Sequence, residues 1–235
     1  MRLKNVRALS FDLDDTLWPF QSCVDRAENV LLEWLRDQVP ETRPLLTSTA
    51  VIKAYRNRAE VKNASSLGNL RGLRLASIRS ILADAGGDIA LADQAYDVFF
   101  EERLHVDLYP DVLPALEELC RHFPLVALSN GNGCVDRAGI GRFFKGVVNP
   151  NTTGVAKPSP QAFHAAARIA GVEPHQLLHV GDDFALDVQG AMDAGVNAVW
   201  LLRDPSFPVS PVLSEPRPGY HLVARDLHRM LELLL

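Results

Sequence analysis

Three aspartates stand within four residues near the start of the chain, in the stretch FDLDDTLWP that begins at Phe11. They directly follow a short apolar segment, VRALSF, which is typical of a buried strand in a parallel sheet. Carboxylates this close raise each other's pKa unless a cation or a hydrogen-bond donor compensates them. We therefore expect Asp12 and Asp14 to share a bound cation.

Three further segments end or open into polar residues of complementary type. Ser129 and Asn130 close the strand-like run PLVALSN, and Lys157 stands in VAKPSP before a helical segment. The strand-like run QLLHV leads into a third group of residues, which are Gly181, Asp182, Asp183 and Asp187. Because the carboxyl ends of parallel strands lie at the same edge of a sheet, these residues are expected to converge on one site.

The residue types at this site suit a hard cation and a phosphoryl group. Mg²⁺ prefers oxygen ligands, which Asp12 and Asp182 would supply. A carboxylate can attack phosphorus to form an aspartyl-phosphate, and Asp12 is the candidate nucleophile. Lys157 would hold the phosphate and offset the repulsion between the two anions. Asp14 would protonate the leaving oxygen and later activate water, as one group serving both half-reactions.

Hydroxyl and amide donors in two turns would bind the remaining phosphate oxygens. Successive backbone N–H groups in a turn form a concave site for anions. The candidates for this phosphate-binding role are Thr16, Ser129, Asn130 and the backbone N–H of Gly131.

The elements that must position these residues change their order along the chain. From Asp111 onward, helical and strand-like segments alternate at the spacing of a doubly wound parallel α/β sheet. Before it, four helical segments follow one another without a strand, at about 23–39, 44–62, 70–85 and 89–105. We expect a Rossmann-like core at 1–17 and 107–235, with an inserted helical cap at 18–106. The insertion leaves the sheet at a strand's carboxyl end, where such folds bind ligands.

Smaller elements are predicted within the core region. A short helix is expected near Val135 to Gly141, and the tail DLHRMLELLL favours a terminal helix packed through its leucines. The segment from Arg203 to Gly219 contains five prolines and predicts an extended surface segment, with a partner-binding arm as the alternative.

The composition of the 235-residue chain is that of an ordinary globular protein, with 47% hydrophobic and 23% charged residues. The net charge of -5 argues against a nucleic-acid partner. The sequence contains no run of about 18 apolar residues, so no membrane span is predicted. The first apolar segment is too short for a secretory signal. We therefore expect a cytoplasmic protein without a membrane partner. Three widely spaced cysteines without a CxxC pair predict reduced thiols.

The predicted cap carries an excess of basic residues. Between Val51 and Ser80 there are seven basic residues and one acidic residue. Arg71 and Arg74 have the i,i+3 spacing of one helical face and could bind a second anionic group or a polar ring of a substrate. The alternative is a solvated helix face. Trp18 could stack on a substrate ring, with a packed hinge anchor as the alternative.

Taken in order, DLDDT, LSN, AKP and GDDFALD resemble the four motifs of the haloacid dehalogenase superfamily of aspartyl-phosphate phosphatases, and the helical insertion resembles its C1 cap. The resemblance implies Asp12 as nucleophile, Asp14 as general acid and base, and Lys157 as the residue that orients nucleophile and phosphate. It implies Ser129 as a phosphate ligand. The implied Mg²⁺ ligands are Asp12, Asp14 through its backbone carbonyl, and Asp182, with Asp187 supporting the metal.

Two other aspartates have less definite roles in that comparison. Asp15 fills a variable position and is not expected to take part in catalysis. Asp183 is either a water-mediated metal contact or a helix N-cap.

The resemblance implies a Mg²⁺-dependent phosphatase that acts on a small phosphorylated metabolite, as a monomer or homodimer. PLVALSNGN and LLHVGDDFALDVQGAMDAGVNAVWL are similar to cytoplasmic phosphatases for flavin mononucleotide and for 5-amino-6-(5-phosphoribitylamino)uracil, a riboflavin-pathway intermediate. A nucleotidase, a sugar phosphatase and a phosphomutase are alternatives, because they share these motifs.

Other classes fit the residues less well. Dehalogenases of the superfamily lack an acid at the position of Asp14, and its P-type pumps carry DKTGT with membrane spans. Receiver-like signalling domains, which accept a phosphoryl group without catalytic turnover, lack both the helical block after the first strand and the second acid two residues beyond the nucleophile. A non-catalytic phospho-acceptor is therefore the remote alternative.

Overall fold

The computed structural model describes residues 5–62, 69–203 and 221–235. The proline-rich segment that was predicted to be extended lies outside the described residues, apart from Arg203. The chain divides into two compact units. We call Met1–Pro19 together with Asp107–Leu235 the core unit, and Phe20–Val106 the helical unit. The sequence-based boundary after residue 17 lies two residues before the structural one.

The core unit is built on a six-stranded sheet in which adjacent strands are parallel. The strands are β1 Ala8–Phe11, β2 Leu125–Leu128, β3 Phe144–Val148, β4 Leu177–Gly181, β5 Asn197–Leu201 and β6 His221–Ala224. Their order in the sheet is β3-β2-β1-β4-β5-β6. The direction of winding reverses between β1 and β4, so the carboxyl ends of these two strands lie at the topological switch point. This architecture confirms the predicted doubly wound α/β sheet.

The helices, in chain order, are α1 Phe20–Gln38, α2 Thr49–Lys62, α3 Leu70–Ala85, α4 Ala92–Arg103, α5 Val112–His122, α6 Pro150–Thr153, α7 Pro160–Ala170, α8 Gly190–Asp193 and α9 Leu227–Leu234. A π-helical segment, Phe184–Gln189, precedes α8, and 3₁₀ turns lie at Pro40–Thr42, Ile89–Leu91, Gly141–Phe143 and Pro174–Gln176. In the part of the chain that the structure describes, no helix has the length and hydropathy needed to cross a bilayer.

Three strands in the middle of the sheet, β1, β2 and β4, are buried along their whole length. β1, β2 and β4 are apolar or small in every residue except Ser10 and His179, as expected for parallel strands covered on both faces. α7 packs on this sheet through Phe163, which belongs to the same buried cluster as β-strand side chains. The helix begins at Pro160, whose fixed φ suits a first turn, and is followed by Gly171 in the left-handed conformation.

One predicted element of the core unit is absent from the residues that the structure describes, and one strand was not predicted. The helix expected near Val135 to Gly141 is wrong, because the chain forms turns from 135 to 139, and Gly139 with φ 74° ends them before a second helical turn begins. The strand β6 was not predicted, since His221–Ala224 is a four-residue segment whose strand character depends on pairing with β5.

The helical unit has a hydrophobic core of its own. Leu31 and Leu35 of α1 and Ile78 and Ile81 of α3 are fully buried in one cluster. Side chains at these spacings lie on one face of each helix, which explains why the helical segments could be located from their periodicity.

The chain reverses direction directly after β1 in a tight turn. The N–H groups of Thr16 and Leu17 both donate to the Leu13 carbonyl, and the N–H of Asp15 donates to the Trp18 carbonyl at 2.7 Å. Asp15 has φ 57°, the left-handed conformation that aspartate and asparagine tolerate better than other residues with a side chain. The turn therefore explains why an aspartate without an assigned catalytic role occupies this position.

We expect Asp15→Val to lower the free energy of unfolding by about 1–2 kcal/mol, because a β-branched side chain opposes the left-handed conformation. Asp15→Asn, the matched control, is expected to leave it within about 0.5 kcal/mol. Urea unfolding of both variants measures the difference. Equal stability of the two variants would contradict this account of the turn.

Candidate active site

The carboxyl ends of the central strands bring the candidate residues to one edge of the sheet. Asp12 directly follows β1, Ser129 follows β2 and Asp182 follows β4. Carboxylate oxygens of Asp12, Asp182 and Asp187 lie within 4.8 Å of one another. The convergence expected from strand direction therefore produces one acidic cluster at the switch point.

Lys157 supplies the positive charge inside this cluster. Its Nζ donates to Oδ1 of Asp12 and to Oδ1 of Asp187, each at 2.5 Å, and its side chain is only 2% exposed. Burial alone would lower the pKa of Lys157, but the two carboxylates outweigh burial and raise it above its ordinary value. Lys157 is therefore a permanent cation held between two carboxylates.

Asp187 is the most fully bonded carboxylate of the cluster. Oδ1 accepts from Lys157 and lies 2.9 Å from Nε2 of His179, and Oδ2 accepts from the backbone N–H of Asp183 at 3.0 Å. Burial would raise the pKa of Asp187, but Lys157 and His179 outweigh burial and hold it well below its usual range. A Cβ at Gly181 would lie 2.2 Å from Cγ of Asp187, so glycine is required for this close approach.

The other two carboxyl groups have pKa values above the ordinary range. Burial raises the pKa of Asp12, Lys157 offsets only part of that effect, and Asp187 adds to it. Burial and the neighbouring Asp187 and Asp15 raise the pKa of Asp182 to about 7. The hydroxyl of Thr16 donates to Asp182 at 3.2 Å. Carboxyl oxygens crowded together in this way, with Asp12 buried and Asp182 half-buried, fit a hard divalent cation such as Mg²⁺.

Asn130 binds the backbone of Lys157 from both sides. Its Nδ2 donates to the Lys157 carbonyl at 2.8 Å, and its Oδ1 accepts from the Lys157 N–H at 2.7 Å. The amide nitrogen has a second N–H that these bonds do not use, and the phosphate-binding role of Asn130 stays a prediction. The side chain positions Lys157.

Ser129 and Gly131 form the turn that follows β2. The N–H of Gly131 donates to Oγ of Ser129 at 3.0 Å, and Ser129 is buried. Both residues lie at the same sheet edge as Asp12. Their roles as phosphate ligands, like that of Thr16, stay predictions.

Trp18 is placed differently from the predicted stacking residue. Its ring is completely buried, which leaves no face exposed for a substrate ring. Its Nε1 donates to Oδ1 of Asp14 at 2.8 Å. These contacts fit the packed anchor that the sequence offered as the alternative, because the indole is buried and its polar atom is used within the protein.

Arg71 and Arg74 both make ion pairs within the helical unit. Arg74 is buried, donates to the buried carboxylate of Glu28 at 3.0 Å and lies over the ring of Phe99. Arg71 is about half exposed and donates to Asp93 at 2.9 Å. The two side chains therefore do not form one exposed pair, and their contact with a substrate stays a prediction.

Sequence reasoning missed a polar pair inside the sheet. Ser10 and His179 are in register on β1 and β4, are fully buried, and are joined by a 2.9 Å hydrogen bond between Oγ and Nδ1. Burial lowers the pKa of His179, although Asp187 has the opposite effect. The lowered pKa favours the neutral imidazole. The available signal was one polar residue in each of two otherwise apolar strands.

Asp183 acts as a helix cap. Its Oδ1 accepts from the N–H groups of Ala185 and Leu186, at 2.8 and 2.9 Å, at the start of the π-helical segment. This is the N-cap that the sequence left as one of two alternatives.

The chain has a parallel α/β sheet with acidic residues and a buried lysine at its switch point. These features are typical of an α/β enzyme that binds anionic substrates. Residues 6–195 match the family model of haloacid dehalogenase-like hydrolases. The chain belongs to this family.

Individual relatives cover most of the chain. It is 30% identical over 203 residues to 5-amino-6-(5-phospho-D-ribitylamino)uracil phosphatase YigB of Escherichia coli. That match covers 85% of this chain and 84% of the Escherichia coli protein. It is 31% identical over 225 residues to glyceraldehyde 3-phosphate phosphatase of Methanopyrus kandleri. That match covers 92% of this chain and 93% of the archaeal protein. The crystal structure of a 2-haloacid dehalogenase from Pseudomonas syringae has 31% identity and a TM-score of 0.80, with 97% of each chain covered.

We expect Lys157→Met to lower the free energy of unfolding by roughly 3–5 kcal/mol, because it leaves the carboxylates of Asp12 and Asp187 buried without their counter-charge. Lys145→Met is the matched control, since Lys145 is an exposed lysine on β3. Urea unfolding at pH 8 without divalent metal measures both. A loss no greater than that of the control would show that the lysine does not carry this balance of charge.

Proposed function

We propose that the chain hydrolyses a small phosphorylated metabolite in a Mg²⁺-dependent reaction that passes through an aspartyl-phosphate on Asp12. One observation carries the proposal. Asp12, at the carboxyl end of β1, is held 2.5 Å from Nζ of Lys157 and lies within the acidic cluster at the switch point. The site therefore brings together a nucleophile, a fixed cation and the ligands for a metal.

The enzyme class is that of a phosphoric monoester hydrolase of the haloacid dehalogenase family. Relatives that span most of the chain are named as phosphatases in a bacterium and an archaeon. The solved relative named as a dehalogenase does not favour that reaction here, because this chain has an acid, Asp14, at the position that dehalogenases of the superfamily leave without one.

The proposed reaction divides into two displacements. A carboxylate oxygen of Asp12 attacks phosphorus while the ester P–O bond breaks, and Asp14 gives its proton to the leaving oxygen. In the second step Asp14 takes a proton from water, the water oxygen attacks phosphorus, and the bond to Asp12 breaks to release phosphate. Lys157 holds the anionic groups together in both steps.

The proposed metal ligands are Asp12, Asp182 and the backbone carbonyl of Asp14. Bound Mg²⁺ would neutralise charge on the phosphate and on these carboxylates. Asp187 supports the metal indirectly in this proposal, because its two oxygens are bonded to Lys157, His179 and the N–H of Asp183.

The proposed substrate is 5-amino-6-(5-phosphoribitylamino)uracil or flavin mononucleotide. The support is the similarity to the Escherichia coli phosphatase that is named for the first of these compounds. Other relatives are named for glyceraldehyde 3-phosphate, N-acylneuraminate 9-phosphate and phosphoserine. The choice among such substrates is a separate part of the proposal from the phosphatase reaction.

We expect the wild-type protein with Mg²⁺ to release phosphate continuously from at least one member of a panel of these compounds, together with nucleotides and sugar phosphates. Asp12→Asn is expected to lower turnover by at least about a thousandfold, because it removes the nucleophile. Asp193→Asn, which changes an exposed aspartate, is the matched control and is expected to keep wild-type turnover. Near wild-type turnover by Asp12→Asn would sink the assignment of the nucleophile, and release of one equivalent only would favour a phospho-acceptor.

Metal binding can be tested without turnover. At a Mg²⁺ concentration near 100 times the dissociation constant, binding stabilises the folded state by about 2.7 kcal/mol, which raises Tm by roughly 5–10 °C. We expect this shift for the wild type and for Asp193→Asn, and at most a small part of it for Asp182→Asn. Differential scanning calorimetry with and without Mg²⁺ measures the shift. Equal shifts in both variants would contradict the proposed ligand.

A further inference from the structure

Trp18 is hydrogen-bonded to Asp14, the general acid of the proposed reaction. Its Nε1 donates to Oδ1 of Asp14 at 2.8 Å, and its ring is completely buried. A buried indole N–H that donates to a carboxylate fixes both groups, because neither has freedom to rotate without breaking the bond.

The turn after β1 creates this contact. The backbones of Asp14 and Trp18 form an isolated bridge, and the N–H of Asp15 donates to the Trp18 carbonyl. The left-handed conformation of Asp15 allows the chain to close on itself over these few residues. The side chains of Asp14 and Trp18 are therefore brought together by local geometry.

The GNG turn after β2 confines both side chains from another direction. A Cβ at Gly131 would lie 2.6 Å from Oδ2 of Asp14, and a Cβ at Gly133 would lie 2.9 Å from Cζ2 of Trp18. A side chain at Gly131 would therefore force the Asp14 carboxyl group to shift, and one at Gly133 would force the Trp18 ring to shift. The Asp14 carboxyl group is enclosed between an indole N–H and a glycine backbone.

We propose that Trp18 is a positioning residue that holds the carboxyl group of Asp14 in the orientation needed for proton transfer to the leaving oxygen. The inference rests on the proposed phosphatase reaction. Trp18 does not touch the reacting atoms in this account and acts through Asp14. The alternative is that Trp18 only fills space in the core unit.

The two roles differ in how activity depends on the leaving group. An alcohol is a poor leaving group and needs a proton from Asp14 as the P–O bond breaks, whereas p-nitrophenolate leaves without one. A misoriented acid therefore slows the first kind of substrate selectively. Damage to packing around Asp12 and Lys157 slows both kinds.

The test compares kcat/KM of Trp18→Phe for glycerol 2-phosphate and for p-nitrophenyl phosphate, both with Mg²⁺. This ratio reports on steps up to formation of the phospho-enzyme, so later attack by water does not enter it. We expect a loss of at least about tenfold on the alkyl ester and less than about threefold on the aryl ester. Trp34→Phe, a partly buried tryptophan of the helical unit, is the matched control and is expected to change neither value.

Gly133→Ala provides a second variant that keeps the indole intact. Its new Cβ would displace the Trp18 ring, so we expect the same selective loss on the alkyl ester. This variant carries the test if circular dichroism shows that Trp18→Phe does not fold. An equal loss on both esters, or no loss on either, overturns the positioning role. Failure of the proposed function has a different signature, since the wild type would then release phosphate from neither ester and from no compound of the substrate panel, and that result would overturn both proposals.

Discussion

Three carboxyl groups lie close together at the switch point of the sheet, and the contacts around them are arranged to offset their mutual repulsion. Asp12, Asp182 and Asp187 place carboxylate oxygens within 4.8 Å of one another, and burial makes ionised carboxylates costly. Lys157 is the counter-charge that the chain provides, at 2.5 Å from two of these side chains. One lysine cannot balance three carboxylates, and the surplus is the physical basis of the proposed Mg²⁺ site.

Neutral polar groups hold the charged ones in place. The Asn130 side chain binds the backbone of Lys157, Thr16 donates to Asp182, and the Trp18 indole donates to Asp14. Groups fixed in this way need little rearrangement when charge moves, which is the property that electrostatic catalysis requires. The glycines of the site serve the same end, because a side chain at Gly181 would collide with Asp187.

Much of the fold could be predicted because burial leaves a periodic pattern in the sequence. The bounds predicted for α3, 70–85, coincide with those of the structure, and the strands that carry site residues were located from their continuous apolar runs. The failures have the opposite cause. The strand β6 is a four-residue segment that depends on its pairing with β5, and the helix expected after Val135 stops at a left-handed Gly139.

The amino-acid sequence alone specifies which chemical groups stand at the ends of the strands, and therefore the acids and the lysine available for chemistry. Which atom bonds to which depends on how the folded segments pack together. The tertiary structure placed Asn130 on a backbone 27 residues away, paired Ser10 with His179 across two strands, and buried Trp18 and Arg74. The reason is that periodicity records which face of an element is buried, whereas the partner of a buried polar atom is set by packing between segments far apart in the chain.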